Sequence, residues 1–278
     1  MNYRHAYHAG NFADVVKHVA LVAILLRLKK KETPFRVIDT HAGRALYDLS
    51  GREASRTGEA GEGISRVRNL SGAMPEALRV YLDLVRGIGE EKYPGSPLIA
   101  ARMLRAGDRL IAIEKHPEEF SELKKALSIF ATVRAAEADG YERLKALLPP
   151  PERRGLVLID PPYEVDDEFE RAAEALVMAH RKFPTGIYML WFPVKSAAAA
   201  NAFAGEIANA GIAKLLRVEI DLGEHHKTDR LSMAGLLVAN PPYGFADEMR
   251  EIGAVLGPAL GRGRPAAVAV QWLVGGET

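Results

Sequence analysis

The sequence contains no cysteine, and this absence excludes disulfide bonds and thiolate-bound metals. It agrees with a reducing compartment, so we expect a cytoplasmic protein. Long apolar runs are also missing. The longest, residues 19–26, falls far short of the roughly 20 residues that a membrane helix requires, so we expect no membrane association.

Charge of one sign is not in excess, because the formal net charge is only +1 for 278 residues. The whole chain therefore does not indicate a polyanionic partner. Residues 1–31 differ, with six Lys or Arg against one acid, Asp14. This segment could hold phosphates, or the lysines at 29–31 could simply complement the dipole at a solvated helix end.

Short runs rich in Val, Ile and Leu alternate with segments of helical periodicity, which is typical of a parallel sheet covered by helices on both faces. We predict strands at residues 35–39, 109–113, 132–136, 156–160, 187–192, 215–221, 234–239 and 267–273. We predict helices at residues 11–31, 75–87, 97–105, 117–130, 140–147, 167–182 and 196–210. The first helix shows one apolar face and a capping residue, Asn11. The sequence predicts an α/β domain.

About 65 residues separate the first two predicted strands, although a crossover needs only about a dozen. Residues 50–66 are rich in Gly, Ser, Arg and Glu and lack apolar periodicity, which predicts a loop. The remainder, which ends at YPGSP, indicates a small helical subdomain. We therefore predict an insertion after the first strand.

Four consecutive predicted strands are each followed by an acid: Asp39, Glu114, Asp139 and Asp160. Each one alone could be a helix cap or a turn residue. In an open α/β sheet, however, ligands bind beyond the carboxyl ends of the parallel strands, so four acids at this edge indicate a ligand site. An acid just past the second strand suits two ribose hydroxyls, and we assign this role to Glu114.

Phosphate-binding motifs are absent. There is no G-x-G-x-x-G and no P-loop, and Gly43, which would let the backbone approach a ligand, stands only in a G-x-A sequence. A pyrophosphate is therefore not expected. A nucleoside cofactor without phosphates remains, namely S-adenosylmethionine.

The sequence LVLIDPPYEV, residues 156–165, places an acid and two prolines directly after an apolar strand. The N6 amine of adenine is a poor nucleophile, because its lone pair is delocalised into the ring. Asp160 and the Pro161 carbonyl can accept its two hydrogens from a backbone that the prolines hold rigid. Tyr163 offers a ring face for an unstacked base. The motif predicts a clamp for an amine.

Asp-Pro-Pro-Tyr after a strand is similar to motif IV of class I amino-methyltransferases. The further stretches YRHAYHAGNFADVVKH, DTHAG, RTGE, YPGSPLIA, EADG, RRGLVLIDPPYE and FPTGIYMLWFP extend the similarity over nearly the whole chain. The sequence resembles the bacterial 23S ribosomal RNA adenine-N6 methyltransferase J family. The resemblance implies a class I, Rossmann-like fold with a seven-stranded, mostly parallel sheet, helices on both faces and a small helical insertion.

The resemblance also implies roles for individual residues. Asp160 is the catalytic position and also contacts the cofactor, and Tyr3 and His5 lie near the target adenosine. The other implied cofactor contacts are His18, His41, Ser96, Glu114, Asp139 and Gly140. Where family members carry a second glycine after HAG, this chain has Arg44 and Ala45, which leaves the geometry of that turn open.

The implied organisation is one methyltransferase domain over residues 1–278. It has an N-terminal helical arm at residues 1–31 and an inserted loop and small helical subdomain at residues 44–108, which is a second expected RNA contact. The implied partner is 23S ribosomal RNA. We expect a monomer without an obligate protein partner. A DNA adenine-N6 methyltransferase, or a catalytically inactive RNA-binding protein with this fold, stays an alternative.

Two further motifs favour structural interpretations. Asn240, in NPPY, follows a late strand that should run antiparallel, so it should lie at the opposite edge of the sheet and form a rigid turn. The histidine pairs at 5 and 8 and at 225 and 226 lack a third ligand, so no metal site is expected. His225 and His226 suggest a surface loop, and Trp191 and Phe192 suggest core residues.

Overall fold

The computed structural model describes residues 7–51, 58–223 and 231–277. Its strands are β1 (Arg36–Asp39), β2 (Leu46–Asp48), β3 (Lys92–Pro94), β4 (Arg109–Glu114), β5 (Val133–Glu137), β6 (Gly155–Ile159), β7 (Ile187–Pro193), β8 (Leu215–Asp221), β9 (Met233–Ala239) and β10 (Ala267–Val274). Its helices are α1 (Phe12–Lys29), α2 (Glu59–Glu62), α3 (Ile64–Val67), α4 (Glu76–Arg86), α5 (Ser96–Met103), α6 (Pro117–Leu127), α7 (Gly140–Leu147), α8 (Glu168–Lys182), α9 (Ala197–Ala208) and α10 (Phe245–Leu260).

Eight strands form the main sheet, in the order β10-β8-β9-β7-β6-β1-β4-β5. Five adjacent strands, β5, β4, β1, β6 and β7, are parallel. Strand β9 runs antiparallel to both of its neighbours, and β10 runs antiparallel to β8. The predicted class, a mostly parallel α/β sheet, is confirmed. The expected number of seven strands is wrong, because β10 pairs along β8 and extends the sheet by one edge strand.

Strand order determines where a ligand can enter. From β1 the chain first builds β4 and β5 on one side and then returns to build β6 and β7 on the other. The crossover connections therefore diverge between β1 and β6, and such a switch point opens a crevice at the carboxyl ends of the strands. Asp39 ends β1 and Asp160 directly follows β6, so both acids border this crevice.

Helix α1 is more deeply buried than the sequence predicts. Asn11 caps it as expected, since its side-chain Oδ1 accepts the Asp14 backbone N–H at 2.9 Å. Residues 12–25 are all buried, polar ones included, because α4, α5, α10 and β9 pack around the helix. The prediction that α1 buries a single apolar face is therefore wrong. Among the helices of the described ranges, none is both long and apolar enough to cross a membrane.

The region between β1 and β4 contains more regular structure than the sequence predicts. Strands β2 and β3 pair as a small antiparallel sheet. The predicted loop at 50–66 contains α2 and α3, where Ile64 is completely buried and its N–H donates to the Gly10 carbonyl at 2.7 Å. Helix α10 was not predicted, although Phe245, Met249, Ile252 and Leu256 have helical spacing and are buried.

Candidate active site

A cavity of about 390 Å³ opens at the carboxyl edge of the sheet, beyond β1, β4 and β6. This volume is in the usual range for small-molecule sites. Ten of the residues predicted from the sequence line this one cavity: His18, His41, Gly43, Ser96, Glu114, Asp139, Gly140, Asp160, Pro161 and Tyr163. Tyr3, His5, His225 and His226 lie outside the described residues.

Asp160 is held by a buried lysine from α1. Lys17 Nζ lies 2.5 Å from Asp160 Oδ2 and 2.8 Å from Asp14 Oδ1. The Lys17 side chain is only 4% exposed and that of Asp14 only 2%. Burial lowers the pKa of Lys17, but the two carboxylates outweigh it, so the net pKa lies above the usual range. The lysine therefore stays charged and keeps one oxygen of Asp160 in place.

Asp39 lies behind this pair and is also buried. Ser96 Oγ donates a hydrogen bond to Asp39 Oδ2 at 2.7 Å, whereas Oδ1 has no hydrogen-bond partner among the described residues. Burial raises the pKa of Asp39 to about 7, with the nearby Asp160 charge acting in the same direction and Ser96 opposing it. Ser96 thus orients an acid at the back of the site, in addition to lining the cavity.

The turn after β1 brings backbone against Glu114. Gly43 has φ +61°, and its N–H donates to Glu114 Oε2 at 2.9 Å. A Cβ at this position would lie 2.2 Å from the Tyr47 hydroxyl oxygen, so any side chain here would require Tyr47 to shift as well as a positive φ. The His116 N–H holds the other oxygen of Glu114 at 2.7 Å, and burial raises the pKa of this carboxyl.

The structure shows how the turn forms with Arg44 and Ala45 where family members carry a second glycine. Ala45 has φ +67°, the left-handed region that favours glycine, and it is completely buried. Arg44 donates to both oxygens of Glu119, at 2.8 and 2.5 Å, which is a two-pronged ion pair from the turn to α6. The turn is therefore built in a glycine-like conformation without the second glycine.

Asp139 and Gly140 begin α7 at the same edge. Asp139 Oδ1 accepts the N–H of Tyr141 at 3.0 Å, and Oδ2 lies 3.0 Å from Lys115 Nζ. Burial opposes ionisation of Asp139. Lys115 and the backbone N–H of Glu142, which Asp139 caps, outweigh this effect and lower the pKa of Asp139. A Cβ on Gly140 would lie 2.0 Å from the Thr40 carbonyl oxygen, so close packing of α7 against β1 requires glycine here.

The two predicted histidines differ in environment. His18 Nδ1 lies 2.7 Å from the Tyr93 hydroxyl, and the residue is 1% exposed. For His41, Thr40 Oγ1 donates its one hydrogen to the Leu158 carbonyl, so His41 Nδ1 must donate to that oxygen, at 2.8 Å. This leaves His41 Nε2 as an acceptor. Burial lowers the pKa of His41 to about 4, which keeps the ring neutral.

The segment after Asp160 is anchored by the tyrosine hydroxyl. Tyr163 has φ +52°, and its hydroxyl donates to the Trp191 carbonyl at 2.7 Å. Its ring packs 4.6 Å from Phe169 and 5.7 Å from Trp191, between centroids. No hydrogen bond within the described ranges ends on the Pro161 carbonyl. Trp191 was expected in the core, but it is partly exposed and lines the cavity, whereas Phe192 is completely buried.

Asn240 follows β9, which runs antiparallel to β7, and therefore lies at the opposite edge of the sheet. Its side-chain amide donates to the carbonyls of Pro184 and Gly186, just before β7, at 2.7 and 2.8 Å. With φ +52°, Asn240 lies in the turn that leads from β9 to α10, and its amide ties this turn to the segment before β7. The structural interpretation of NPPY is confirmed.

Known proteins resemble this chain over most of its length. A family model described as "Ribosomal RNA large subunit methyltransferase D, RlmJ" matches residues 32–274. The chain belongs to this methyltransferase family. It is 36% identical over 278 residues to ribosomal RNA large subunit methyltransferase J of Escherichia coli, covering 99% of each chain. It is 38% identical over 257 residues to the Haemophilus influenzae protein of the same name, covering 91% of each chain.

The fold is also similar to that of a solved protein from Legionella pneumophila. The two share 35% identity and superpose with a TM-score of 0.87, covering 95% of this chain and 98% of that one. The class I methyltransferase fold expected from the sequence is therefore confirmed, with eight strands rather than seven in the main sheet.

Sequence analysis missed the role of Lys17 and Asp14 in this methyltransferase site. The available signal was an acid and a lysine three residues apart within an otherwise apolar helix, where ionic side chains are rarely buried unless they are paired. We assigned the segment to a simple amphipathic helix and overlooked this pair. Among the described residues, no group of three His, Asp or Glu is placed to hold a metal ion.

Proposed function

We propose that this protein uses S-adenosylmethionine to methylate the exocyclic N6 of one adenosine in 23S ribosomal RNA. The observation that carries the proposal is Asp160, held by Lys17 just after β6, with Pro161 next to it among the residues that line the same cavity. The name of the family and of both relatives, a large-subunit ribosomal RNA methyltransferase, supports the RNA substrate.

The residues present fit the proposed cofactor. Glu114 keeps lone pairs beyond its two backbone contacts and suits the ribose hydroxyls, while Gly43 admits a ligand close to the backbone. The neutral His41 ring, with Nε2 free to accept, and Asp139 at the start of α7 complete the wall on the β4 side. His18, Ser96 and Gly140 line the remainder of the proposed cofactor site.

When bound, S-adenosylmethionine supplies an electrophilic methyl group on a cationic sulfonium. The charged residues that line the cavity suit a cation, because seven of them are acids and four are Lys or Arg. Asp39 would add to this negative charge wherever it is ionised. An excess of acids around the cavity favours the sulfonium over a neutral ligand.

The role of the chain in the transfer is to position an amine and accept its hydrogens. Asp160 has one oxygen on Lys17, which leaves the other for one N6 hydrogen, and the Pro161 carbonyl takes the second. Two fixed acceptors favour the pyramidal nitrogen of the transition state over the planar ground state. Asp160 does not remove a proton first, since the amine is too weak an acid. The proton leaves the nitrogen as the new bond forms, toward the hydrogen-bonded carboxylate.

The target adenosine has to leave its stack to reach Asp160. Tyr163 and Trp191 supply aromatic surface at the cavity, with Tyr163 locked by its hydroxyl bond. Tyr3 and His5 are proposed to contact the target adenosine from the N-terminal helical arm. The region 44–108 is proposed as a second RNA contact, and residues 1–278 as one methyltransferase domain.

The test is methylation of unmodified 23S ribosomal RNA with tritiated S-adenosylmethionine, followed by digestion to nucleosides. We expect label in N6-methyladenosine from the RNA and none from duplex DNA under the same conditions. Label in DNA alone would transfer the assignment to a DNA adenine methyltransferase. Cofactor binding without label in either nucleic acid would favour an RNA-binding protein that has lost catalysis.

A further inference from the structure

Cations converge at the edge of the sheet opposite the cavity, where β1, β4 and β6 begin. Arg36 pairs in register with Arg109 on one side and with Gly155 on the other. The end of α1 and the segment before β4 add further positive residues. We call this set the basic edge; it consists of Lys29, Lys30, Lys31, Arg36, Arg105, Arg109, Arg153 and Arg154.

The segments of the basic edge are held together by two arginines. Arg105 donates to the carbonyl of Lys31 at 2.9 Å, and Arg154 donates to that of Thr33 at 2.7 Å. Both guanidinium groups lie over the Phe35 ring, 5.6 and 5.9 Å from its centroid. Three segments that are distant in sequence are thus joined at one turn.

The charge of this edge is out of proportion to that of the chain. Its eight cations stand against three carboxylates from the same segments, Glu32, Asp108 and Glu152, which leaves it at +5. The whole chain carries +1, so the rest of the protein carries −4. Burial, together with the neighbouring Arg105, lowers the pKa of Arg154, which is consistent with crowded like charges.

Capping of α1 explains only part of this edge. Arg105 and Arg154 bond carbonyls at the helix end, where cations are favoured by the helix dipole. Lys30, Lys31 and Arg153 are exposed, and no ion pair formed among the described residues includes them. Arg153 also has φ +54°, a conformation that glycine or asparagine would adopt more easily. The helix dipole can favour Lys30 and Lys31 at the end of α1, but it does not account for Arg153, which lies on the separate segment before β6.

We propose that the basic edge binds the phosphate backbone of the RNA substrate at a distance from the active site. The proposal rests on the proposed function and extends it. It assigns a second contact between protein and RNA, which depends on phosphate charge and not on base sequence. The strand β6 alone separates the two edges by about 17 Å. Only an RNA that extends past the target nucleotide could reach both.

The test compares the K30Q/K31Q/R153Q variant with wild type on two RNAs that contain the same target adenosine. One is a short stem-loop, and the other is a long 23S fragment that extends beyond it on both sides. The matched control is K124Q/R181Q/R250Q, which removes three exposed cations from α6, α8 and α10. The readouts are RNA Kd as a function of salt, kcat and KM with each RNA, and the Kd of S-adenosylmethionine.

For the long RNA we expect the edge variant to raise Kd and KM about tenfold at low salt, and to reduce the slope of log Kd against log salt by about 2 to 3. The short stem-loop, the cofactor Kd and the control variant should stay within about twofold of wild type.

Unchanged affinity for the long RNA would overturn the proposal, while continued methylation of the stem-loop would leave the proposed function intact. Equal losses on both RNAs would overturn it as well. Absence of methylation in wild type would instead contradict the proposed function.

Discussion

At the scale of single residues, the site depends on one buried lysine between two carboxylates. Lys17 contacts Asp160 and Asp14, all three line the cavity, and Asp160 is the one proposed to hold the amine. The lysine thus supports both the fold and the proposed chemistry. Substitutions at these positions should separate the two contributions.

Asp160→Asn should fold and bind S-adenosylmethionine more weakly than wild type, because one negative charge near the sulfonium is lost, and it should also lose about 10²–10³ in kcat. An amide keeps one acceptor oxygen and replaces the other with a donor, so only one N6 hydrogen can be held. Steady-state methylation and calorimetric cofactor binding measure the two quantities, with exposed Asp83→Asn as the control. Near-normal turnover in Asp160→Asn would contradict the clamp.

Lys17→Met should lower the free energy of unfolding by about 3–5 kcal/mol, because it leaves two buried carboxylates without their cation. Adding Asp14→Asn to this variant should recover part of the loss, since one of the two carboxylates that Lys17 contacts is then uncharged. Urea unfolding of the single and double variants gives the comparison. If the second substitution only adds to the destabilisation, the ion-pair account is wrong.

Asp39→Asn should alter how stability depends on pH. In the folded protein Asp39 keeps its proton up to about pH 7, whereas the unfolded carboxyl loses it near 4. The free energy of unfolding of wild type therefore falls as pH rises through this window. His41 acts oppositely, because its folded pKa of about 4 lies below the unfolded value of about 6.5.

Because these two residues oppose each other in wild type, the difference between variant and wild type is the informative quantity. Relative to wild type, Asp39→Asn should gain roughly 2–3 kcal/mol in unfolding free energy between pH 5 and pH 8. Urea unfolding at both pH values measures it, with exposed Asp247→Asn as the control. A difference that stays the same at both pH values would exclude Asp39 as the titrating group.

At the scale of elements, helix α7 is positioned by direct backbone contact with the end of β1. Gly140→Ala would place a methyl 2.0 Å from the Thr40 carbonyl oxygen, so α7 must shift. We expect a loss of about 1–3 kcal/mol in unfolding free energy and weaker cofactor binding, since Asp139 begins the same helix. Thermal unfolding and cofactor titration measure these effects.

Gly205→Ala in α9 is the matched control. A Cβ there meets no atom within 4 Å, and the position is inside a helix. It should raise the unfolding free energy by about 0.5–1 kcal/mol, because alanine has the higher helix propensity. Equal effects of the two substitutions would show that crowding at Thr40 is not the cause.

At the scale of the whole molecule, cofactor binding should be measurable as stability. A ligand at 100 times its Kd adds about 2.7 kcal/mol to the unfolding free energy, which corresponds to a rise in Tm on the order of 5 °C for a chain of this size. Scanning calorimetry with S-adenosylmethionine tests this. Glu114→Ala should reduce the shift, whereas Lys124→Gln should keep it. Equal shifts in all three proteins would argue against Glu114 as a cofactor contact.

Much of the site was predictable because its residues follow strands. Asp39, Glu114, Asp139 and Asp160 each end or follow a parallel strand, and topology alone brings such positions to one edge. Lys17 was not predictable in this way, since it lies on a helix far from Asp160 in sequence. The two form their ion pair only because α1 packs against the sheet. The sequence indicated the lysines at 29–31 as a possible phosphate contact but not the rest of the basic edge, because its cations come from three separate segments.

The sequence by itself determined the α/β class, the order of the acids along the chain and the stiff Asp-Pro-Pro-Tyr segment, because apolar periodicity and proline act locally. Tertiary structure alone decided that α1 is enclosed and that β10 extends the sheet to eight strands. It also decided which carboxylates share a lysine. These features depend on which surfaces meet, and burial and pairing across hundreds of residues have no signature in any one stretch of sequence.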